Sequence, residues 1–264
     1  MAARDIVSDA IHSAKAAGGT ALVAYITAGF PNRETFLDLL KTVAAAADVV
    51  EIGVPFSDPM ADGATIQRSS RIALEQGTSL NWILAALAEL RPTPSESGSR
   101  GTRTPLLLMS YLNPLLAFGF DKLPQAAAEA GIAGFIVPDL PYEECTDLRQ
   151  ALQASGLALV QFVTPVTPQE RVKMLCDASS GFVYAVTMTG TTGKNVAMPQ
   201  AVLDYFDRVK RVSPIPVCAG FGIRSREQAQ RMAPHVDGII VGSALVEVIE
   251  RGADPAAFLR DLRV

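Results

Sequence analysis

The stretch Val50-Glu51-Ile52-Gly53-Val54-Pro55-Phe56-Ser57-Asp58-Pro59-Met60-Ala61-Asp62-Gly63 predicts the fold class of this chain. An apolar run, Ala47 to Val50, leads into it and is typical of a buried strand. The strand delivers one carboxylate, Glu51, and a loop broken by glycine and proline then holds Asp58 and Asp62. In α/β proteins, ligands bind beyond the carboxyl ends of the strands. The stretch therefore predicts an α/β protein with a functional site at this strand end.

Short apolar runs of the same kind recur along the chain, and each is followed by helix-patterned sequence. They predict strands over Ala21–Thr27, Asp48–Ile52, Leu106–Ser110, Gly134–Val137, Ala158–Val163, Gly181–Val186, Pro216–Ala219 and Gly238–Val241. The runs do not alternate strictly, which favours strands buried on both faces, as in a parallel sheet covered by helices. Eight strands alternating with helices are best closed into a (β/α)8 TIM barrel. An open, doubly wound sheet is the alternative.

Three helix starts carry capping signals. Asn32 is a candidate N-cap of a helix that opens at 32–34, and Pro168 suits the first turn of the next one. Ser225 opens a third helix. An additional helix over Asp5–Ala17 precedes the first strand and is in place to plug the bottom of the barrel.

The whole chain, 1–264, is expected to form one domain. Its segment 91–104 is polar and free of apolar residues. Because it comes just before the third strand, it belongs to the N-terminal side of the barrel, away from the expected active face. It is predicted to be a flexible loop without a catalytic role.

Composition excludes several classes of protein. Hydrophobic residues make up 49% and charged residues 19%, which is unlike a disordered chain. The net charge of −4 and the lack of a basic stripe argue against nucleic acid as a partner. No apolar run spans a bilayer and no signal peptide is evident, so we expect a cytoplasmic protein without membrane contact. Cys145, Cys176 and Cys218 lack paired spacing and are expected to pack as small hydrophobes.

Two carboxylates are candidates for general acid–base catalysis. Glu51 at a strand end and Asp62 in the following loop are placed to flank a substrate from two directions. A carboxylate that ends a buried strand is costly unless it is used or paired, so Glu51 favours a functional role. Asp62 has an alternative, because Asp62-Gly63-Ala64-Thr65 also resembles a helix N-cap.

Small residues follow three of the strands. Gly220-Phe221-Gly222 follows the seventh strand, and Gly242-Ser243-Ala244 follows the eighth and opens a helix. In such barrels these two loops commonly form a phosphate cradle of backbone N–H groups. A third loop, Gly190-Thr191-Thr192-Gly193-Lys194, is typical of a mobile lid, since the spacing of a P-loop is missing.

Three tyrosines, Tyr25, Tyr111 and Tyr184, fall near the ends of predicted strands. Each alone is more often core than ligand, but together they favour a flat apolar pocket for an aromatic substrate. Neither histidine ends a strand, which argues against a histidine-dependent hydrolase or a histidine-ligated metal. Lysine is likewise missing from the strand ends, which argues against a Schiff-base aldolase.

The segment Glu51–Gly63 closely resembles the signature of the tryptophan synthase α subunit family. The resemblance continues, in order, through Ala24–Gly29, Met109–Pro114, Pro138–Pro141, Gly190–Gly193, Gly220–Ile223 and Val241–Ala244. It implies a TIM barrel that cleaves indole-3-glycerol phosphate to indole and glyceraldehyde 3-phosphate, a carbon–carbon lyase reaction. It also implies that this chain carries no cofactor, and that a β subunit with pyridoxal phosphate converts the indole to tryptophan.

The resemblance further implies a role for each site residue. Glu51 would act as acid and base at the scissile bond, and Asp62 would hold the indole N–H. The implied substrate contacts are Tyr184 at the reacting centre, Thr192 of the lid over Asp62, Gly193, Gly222, Gly242 and Ser243 at the phosphate, and Tyr25, Ile66, Tyr111, Ile136, Phe221 and Ile240 around the indole. The lid differs from the family pattern, because Thr187–Gly193 lacks an arginine that the family often has there.

The family works as an α2β2 heterotetramer, which implies that Asp58 and the segment Asn113–Phe118 contact a β subunit. Three other functions stay open. A stand-alone lyase that releases free indole would use the same residues. A partner module that has lost catalysis is disfavoured by the intact acids. Another phosphate-binding barrel of the histidine or tryptophan pathways should lack the segment Pro55–Pro59 between the acids.

Overall fold

Eight parallel strands form the centre of the computed structural model, which describes residues 2–90, 104–187, 199–220 and 222–264. The strands are β1 Ala21–Thr27, β2 Val49–Gly53, β3 Leu106–Met109, β4 Ile132–Ile136, β5 Ala158–Val163, β6 Val183–Val186, β7 Val217–Gly220 and β8 Gly238–Val241. They follow one another around the barrel in chain order, and β8 pairs with β1. This pairing closes the sheet, so the TIM barrel is confirmed and the open doubly wound sheet is excluded.

The helices surround the strands. They are α1 Ala3–Ala16, α2 Phe36–Ala44, α3 Ala64–Glu75, α4 Leu80–Glu89, α5 Leu112–Phe118, α6 Leu123–Glu129, α7 Thr146–Ala154, α8 Gln169–Ala178, α9 Gln200–Val212, α10 Arg226–Met232, α11 Ser243–Glu250 and α12 Pro255–Leu262, with a 3₁₀ turn at Tyr142–Glu144. Within the described ranges, no helix combines the length and apolar character that crossing a membrane requires.

The bounds of β1, β5 and β8 agree with the sequence prediction, and the other strands differ from it by one or two residues at one or both ends. The clearest reason for such a difference is seen at β6, which was predicted to begin at Gly181. That glycine has a φ of 85°, which is left-handed and not extended, so the strand begins only at Val183. At β4 the strand starts earlier, at Ile132, where the register with β3 shifts by one residue.

Two of the three predicted helix starts were wrong in detail. The Asn32 side chain accepts hydrogen bonds from the backbone N–H and the hydroxyl of Thr35, which closes a turn ahead of α2, and Thr35 is the N-cap. Pro168 occupies the N-cap position of α8 instead of its first turn. Ser225 is the N-cap of α10, as predicted, and its hydroxyl accepts from the Gln228 N–H.

Helix α1 closes the lower end of the barrel, which confirms the predicted plug. Its Val7 and Ile11 are fully buried and pack in one cluster with inward residues of the strands, among them Val23, Val49 and Leu107. Inward-facing side chains therefore form a packed interior below the barrel mouth. The three cysteines are free and buried, as expected of small hydrophobes.

Candidate active site

Glu51 is the most unusual side chain of the barrel. It is the third of the five residues of β2, one place earlier in the strand than in the predicted strand Asp48–Ile52, and alternation with inward-facing Val49 points its side chain into the barrel. It is 0% exposed, and neither carboxyl oxygen has a hydrogen-bond partner within the described ranges. Burial raises the pKa of Glu51 from 4.5 to about 8. The carboxyl group is therefore protonated at neutral pH.

Two tyrosine rings lie over glycines of neighbouring strands. A Cβ atom at Gly53 of β2 would overlap the Tyr25 hydroxyl, and one at Gly220 of β7 would lie 2.5 Å from the Tyr184 hydroxyl. Glycine at both positions makes room for a ring that reaches across from the adjacent strand. Tyr25 is also the register partner of Glu51. Both rings are thereby held at the mouth of the barrel.

Asp62 is held by a tyrosine and does not cap a helix. Its Oδ2 accepts a hydrogen bond of 3.1 Å from the Tyr111 hydroxyl, which itself accepts from the Ala61 N–H at 2.9 Å. The N-cap of α3 is Gly63, so the capping alternative was wrong. Burial raises the pKa of Asp62 from 3.8 to about 6, and the bond from Tyr111 opposes that rise. Asp62 is therefore mostly ionised at neutral pH.

The acids and the tyrosines act on one another electrostatically. Burial raises the pKa of Tyr184, and the charges of Glu51 and Asp62 raise it further. The same two charges add to the effect of burial on the pKa of Tyr25, and Asp62 adds to that of Tyr111. Coulomb interactions weaken with distance, so these side chains lie near one another. Side chains from four strands or their loops thus converge on one site.

The walls of the site are apolar. Ile136 and Ile240 belong to the cluster inside the barrel, and Tyr184 packs against it. Ile66 of α3 instead belongs to the cluster that lies mainly outside the barrel and includes Tyr25. The predicted indole residues that the structure describes are all buried or half-buried, so the candidate site is lined by packed apolar groups.

The sequence interpretation missed two residues of this layer, Met109 and Phe162. Both are half-buried against the inner cluster, and the Phe162 ring lies 4.8 Å from that of Tyr184, centroid to centroid. Strand alternation was the available signal. Since Leu107 and Val160 point inward, the residues two places further along face the mouth.

The loops after β7 and β8 have the backbone features of a phosphate site. Gly222 is exposed, has a φ of 72° and has open space where a Cβ would project. Gly242 is the N-cap of α11, and Ser243 is its first residue. The N–H groups of a first helical turn have no partners within the helix and attract anions.

Thr192, Gly193 and Phe221, which were also predicted to contact substrate, lie outside the described residues. Among the residues that the structure describes, no group of three histidine, cysteine, aspartate or glutamate side chains is placed to hold a metal ion.

Comparison with known proteins identifies the family. The sequence model of the family described as "Tryptophan synthase alpha chain" matches residues 11–262. The tryptophan synthase alpha chain of Nitratidesulfovibrio vulgaris (strain DP4) is 42% identical over 251 residues, which is 95% of either chain. That of Carboxydothermus hydrogenoformans is 44% identical over 88% of this chain and 85% of its own.

Solved structures give the same result. The tryptophan synthase subunit alpha of Legionella pneumophila str. Paris superposes with a TM-score of 0.85 at 33% identity, over 99% of this chain and 97% of its own. A chain of Mycobacterium tuberculosis tryptophan synthase also superposes with a TM-score of 0.85, at 35% identity, over 97% of this chain and 96% of its own. On sequence and structure alike, the chain belongs to the tryptophan synthase alpha chain family.

Proposed function

We propose that this chain cleaves indole-3-glycerol phosphate to indole and glyceraldehyde 3-phosphate by a retro-aldol reaction, with Glu51 as the acid–base residue. The observation that carries the proposal is the Glu51 carboxyl group, fully buried at the barrel mouth without a partner among the described residues. A structural carboxylate in such a place would be paired. A carboxyl group kept protonated at neutral pH is suited to deliver a proton.

Glu51 acts twice in the proposed reaction. Its carboxyl group first donates a proton to C3 of the indole ring, which leaves the ring positively charged at nitrogen. The resulting carboxylate then accepts the proton of the hydroxyl group beside the scissile bond. As the O–H bond breaks, a C=O bond forms, the carbon–carbon bond cleaves, and its electron pair returns to the ring. Glu51 ends the cycle protonated, ready for the next substrate.

Asp62 has the complementary role. With a pKa of about 6, it is an anion while Glu51 is neutral, so it can accept a hydrogen bond from the indole N–H. Its charge would stabilise the positive ring that forms after protonation at C3. The difference between the two pKa values supports a protonated Glu51 that acts as the acid and an ionised Asp62 that acts as the anion.

The remaining contacts support the substrate class. Backbone N–H groups at Gly222, Gly242 and Ser243 would bind the phosphate, which the helix start at Gly242 and the open space at Gly222 support. The apolar layer around Tyr184 and Phe162 would hold the indole ring. The contacts assigned to Thr192, Gly193 and Phe221 stay predictions from the sequence, as do the single-domain organisation over 1–264 and the cytoplasmic location.

The test is indole release from indole-3-glycerol phosphate by the wild type and by Glu51→Gln, each with and without a β subunit. We expect slow cleavage alone, a large increase with the β subunit, and a loss of roughly 10²-fold or more in the variant. Rapid cleavage that does not respond to the β subunit would favour a stand-alone lyase. An unchanged rate in Glu51→Gln would overturn the catalytic assignment.

A β subunit is the partner that we propose, in an α2β2 assembly to which the indole passes. Members of this family carry no cofactor in the α chain, and pyridoxal phosphate belongs to the β subunit.

The loop after β2 exposes 94% of Met60, next to the predicted contact Asp58. The predicted contact 113–118 lies wholly in α5, which exposes 52% of Leu116. Met60 and Leu116 lie in the segments after the adjacent strands β2 and β3, and exposed apolar side chains there support a docking surface for the β subunit.

The docking surface can be tested with a double variant, Met60→Asp with Leu116→Asp. We expect it to lose β-subunit binding while cleavage of the substrate by the isolated chain continues. Val166→Asp is the matched control, because Val166 is an exposed apolar residue, 72% accessible, on the loop after β5. Normal β binding by the double variant would place the interface elsewhere.

A further inference from the structure

One side chain of α11 connects three loops of the candidate site. Glu247 Oε1 accepts hydrogen bonds from the Thr65 hydroxyl at 3.2 Å and from Arg224 Nη2 at 2.9 Å, while its Oε2 accepts from Arg224 Nη1 at 2.7 Å. Thr65 lies in the first turn of α3, three residues after Asp62. Arg224 lies two residues after Gly222. Glu247 itself follows Ser243 by four residues, on the same face of α11.

These contacts join parts of the site that are distant in sequence. The loop after β2 carries the anion proposed to bind the indole N–H, and the loops after β7 and β8 carry the proposed phosphate cradle. The Glu247–Arg224 pair has two parallel bonds, a geometry that fixes orientation as well as distance. Its hydrogen bonds to Arg224 lower the pKa of Glu247, so the carboxylate is ionised at neutral pH.

We propose that Glu247 is a positioning residue that holds the phosphate cradle and the Asp62 loop as one unit. The inference rests on the proposed function and deepens it, because it assigns a link between the two ends of the same substrate. Binding of the phosphate would then place the indole end correctly relative to Asp62. A displacement of about 1 Å at a reacting centre can cost on the order of 10²-fold in rate.

The chain contains a matched control for this link. Glu250 lies one turn further along α11 and accepts two bonds from Arg68 of α3, both 2.6 Å long. The Glu250 side chain is 33% exposed and that of Glu247 27%. Both glutamates therefore join α11 to α3 and are similarly exposed, Glu250 through the Arg68 guanidinium and Glu247 through the Thr65 hydroxyl. Among the described residues, Glu247 also contacts the loop after β7, through Arg224.

The experiment compares Glu247→Gln with Glu250→Gln in the full chain. The Kd of inorganic phosphate is measured without substrate, and kcat and KM are measured with indole-3-glycerol phosphate. We expect Glu247→Gln to weaken phosphate binding and to lower kcat, each roughly five- to tenfold. Glu250→Gln should lower the melting temperature by about as much as Glu247→Gln does. It should leave the Kd of phosphate and kcat unchanged. Thr65→Val should lower kcat without changing the Kd, since it removes the link to α3 alone.

Two results would overturn the inference. Equal effects of the two glutamine variants would show that Glu247 only stabilises the contact between α11 and α3. Tighter phosphate binding by Glu247→Gln would show that Glu247 acts only as a negative charge near the anion. Failure of the wild type to cleave the substrate would count against the proposed function, whereas the phosphate measurement would still test the link.

Discussion

Replacing Glu51 by glutamine should inactivate the protein and, as the pH rises above about 5, make it increasingly more stable than the wild type. Glutamine has nearly the same shape as glutamate but cannot ionise. The Glu51 carboxyl group keeps its proton in the folded protein up to a pH of about 8, whereas in the unfolded chain it ionises near 4.5. Folding therefore requires proton uptake at this group throughout the range between these values.

The sign and size of the effect follow from this difference. The raised pKa contributes stability that is fully present below 4.5 and is lost as the pH rises through the folded value of about 8. The loss amounts to about 1.4 kcal/mol for each pH unit in that range. Between pH 5 and pH 8 the wild type should thus lose roughly 4 kcal/mol relative to Glu51→Gln.

The assay is urea unfolding of both proteins at several pH values in this range. Other titrating groups are common to the two proteins, so they cancel when the free energy of unfolding of the wild type is subtracted from that of the variant. We expect the difference to be small near pH 5 and to grow steadily towards pH 8. The same preparations should show the loss of indole release.

A difference in stability that does not depend on pH would refute the reasoning. It would mean that Glu51 ionises in the folded protein as it does in water, and that its burial is relieved by water or by a change of conformation. An acid of ordinary pKa would then be a carboxylate at neutral pH. The proposed first step, donation of a proton by Glu51, would lose its basis.

Three further predictions concern the same site. The pH profile of kcat/KM should be bell-shaped, with a limb near the pKa of Asp62, about 6, where its anion forms, and another near that of Glu51, about 8, where its proton is lost. Tyr111→Phe should move the lower limb to higher pH, since it removes the hydrogen bond that lowers the pKa of Asp62. Gly220→Ala should displace the ring of Tyr184, lowering kcat and costing about 1–3 kcal/mol in urea unfolding.

The fold could be predicted from local sequence because each strand of this barrel is a compact apolar run. Ala158–Val163 is buried almost throughout, and an apolar run is all that a strand covered on both faces requires. Strand ends were mispredicted where an apolar run includes a residue whose backbone is not extended. Gly181 extends the apolar run of β6 towards the N-terminus, but its left-handed φ excludes it from the strand, which begins at Val183.

The two acids could be found from sequence, but the groups that surround them could not. Gly53 resembles an ordinary turn glycine, yet the reason for it is the Tyr25 ring of the neighbouring strand. Tyr111 was assigned to the pocket wall by resemblance, and its bond to Asp62 depends on the loops after β2 and β3 meeting in space. Contacts between residues distant in sequence leave no local pattern.

The difference between the two acids is likewise a property of the fold. Glu51 and Asp62 are both carboxylates near the end of one strand, and nothing in their sequence spacing indicates opposite protonation states. The barrel buries Glu51 without a donor among the described residues, so its neutral form is favoured. Asp62 lies in the loop, where the Tyr111 hydroxyl stabilises its anion. A single βα unit thus supplies both a proton and a negative charge at neutral pH, and the proposed cleavage needs one of each.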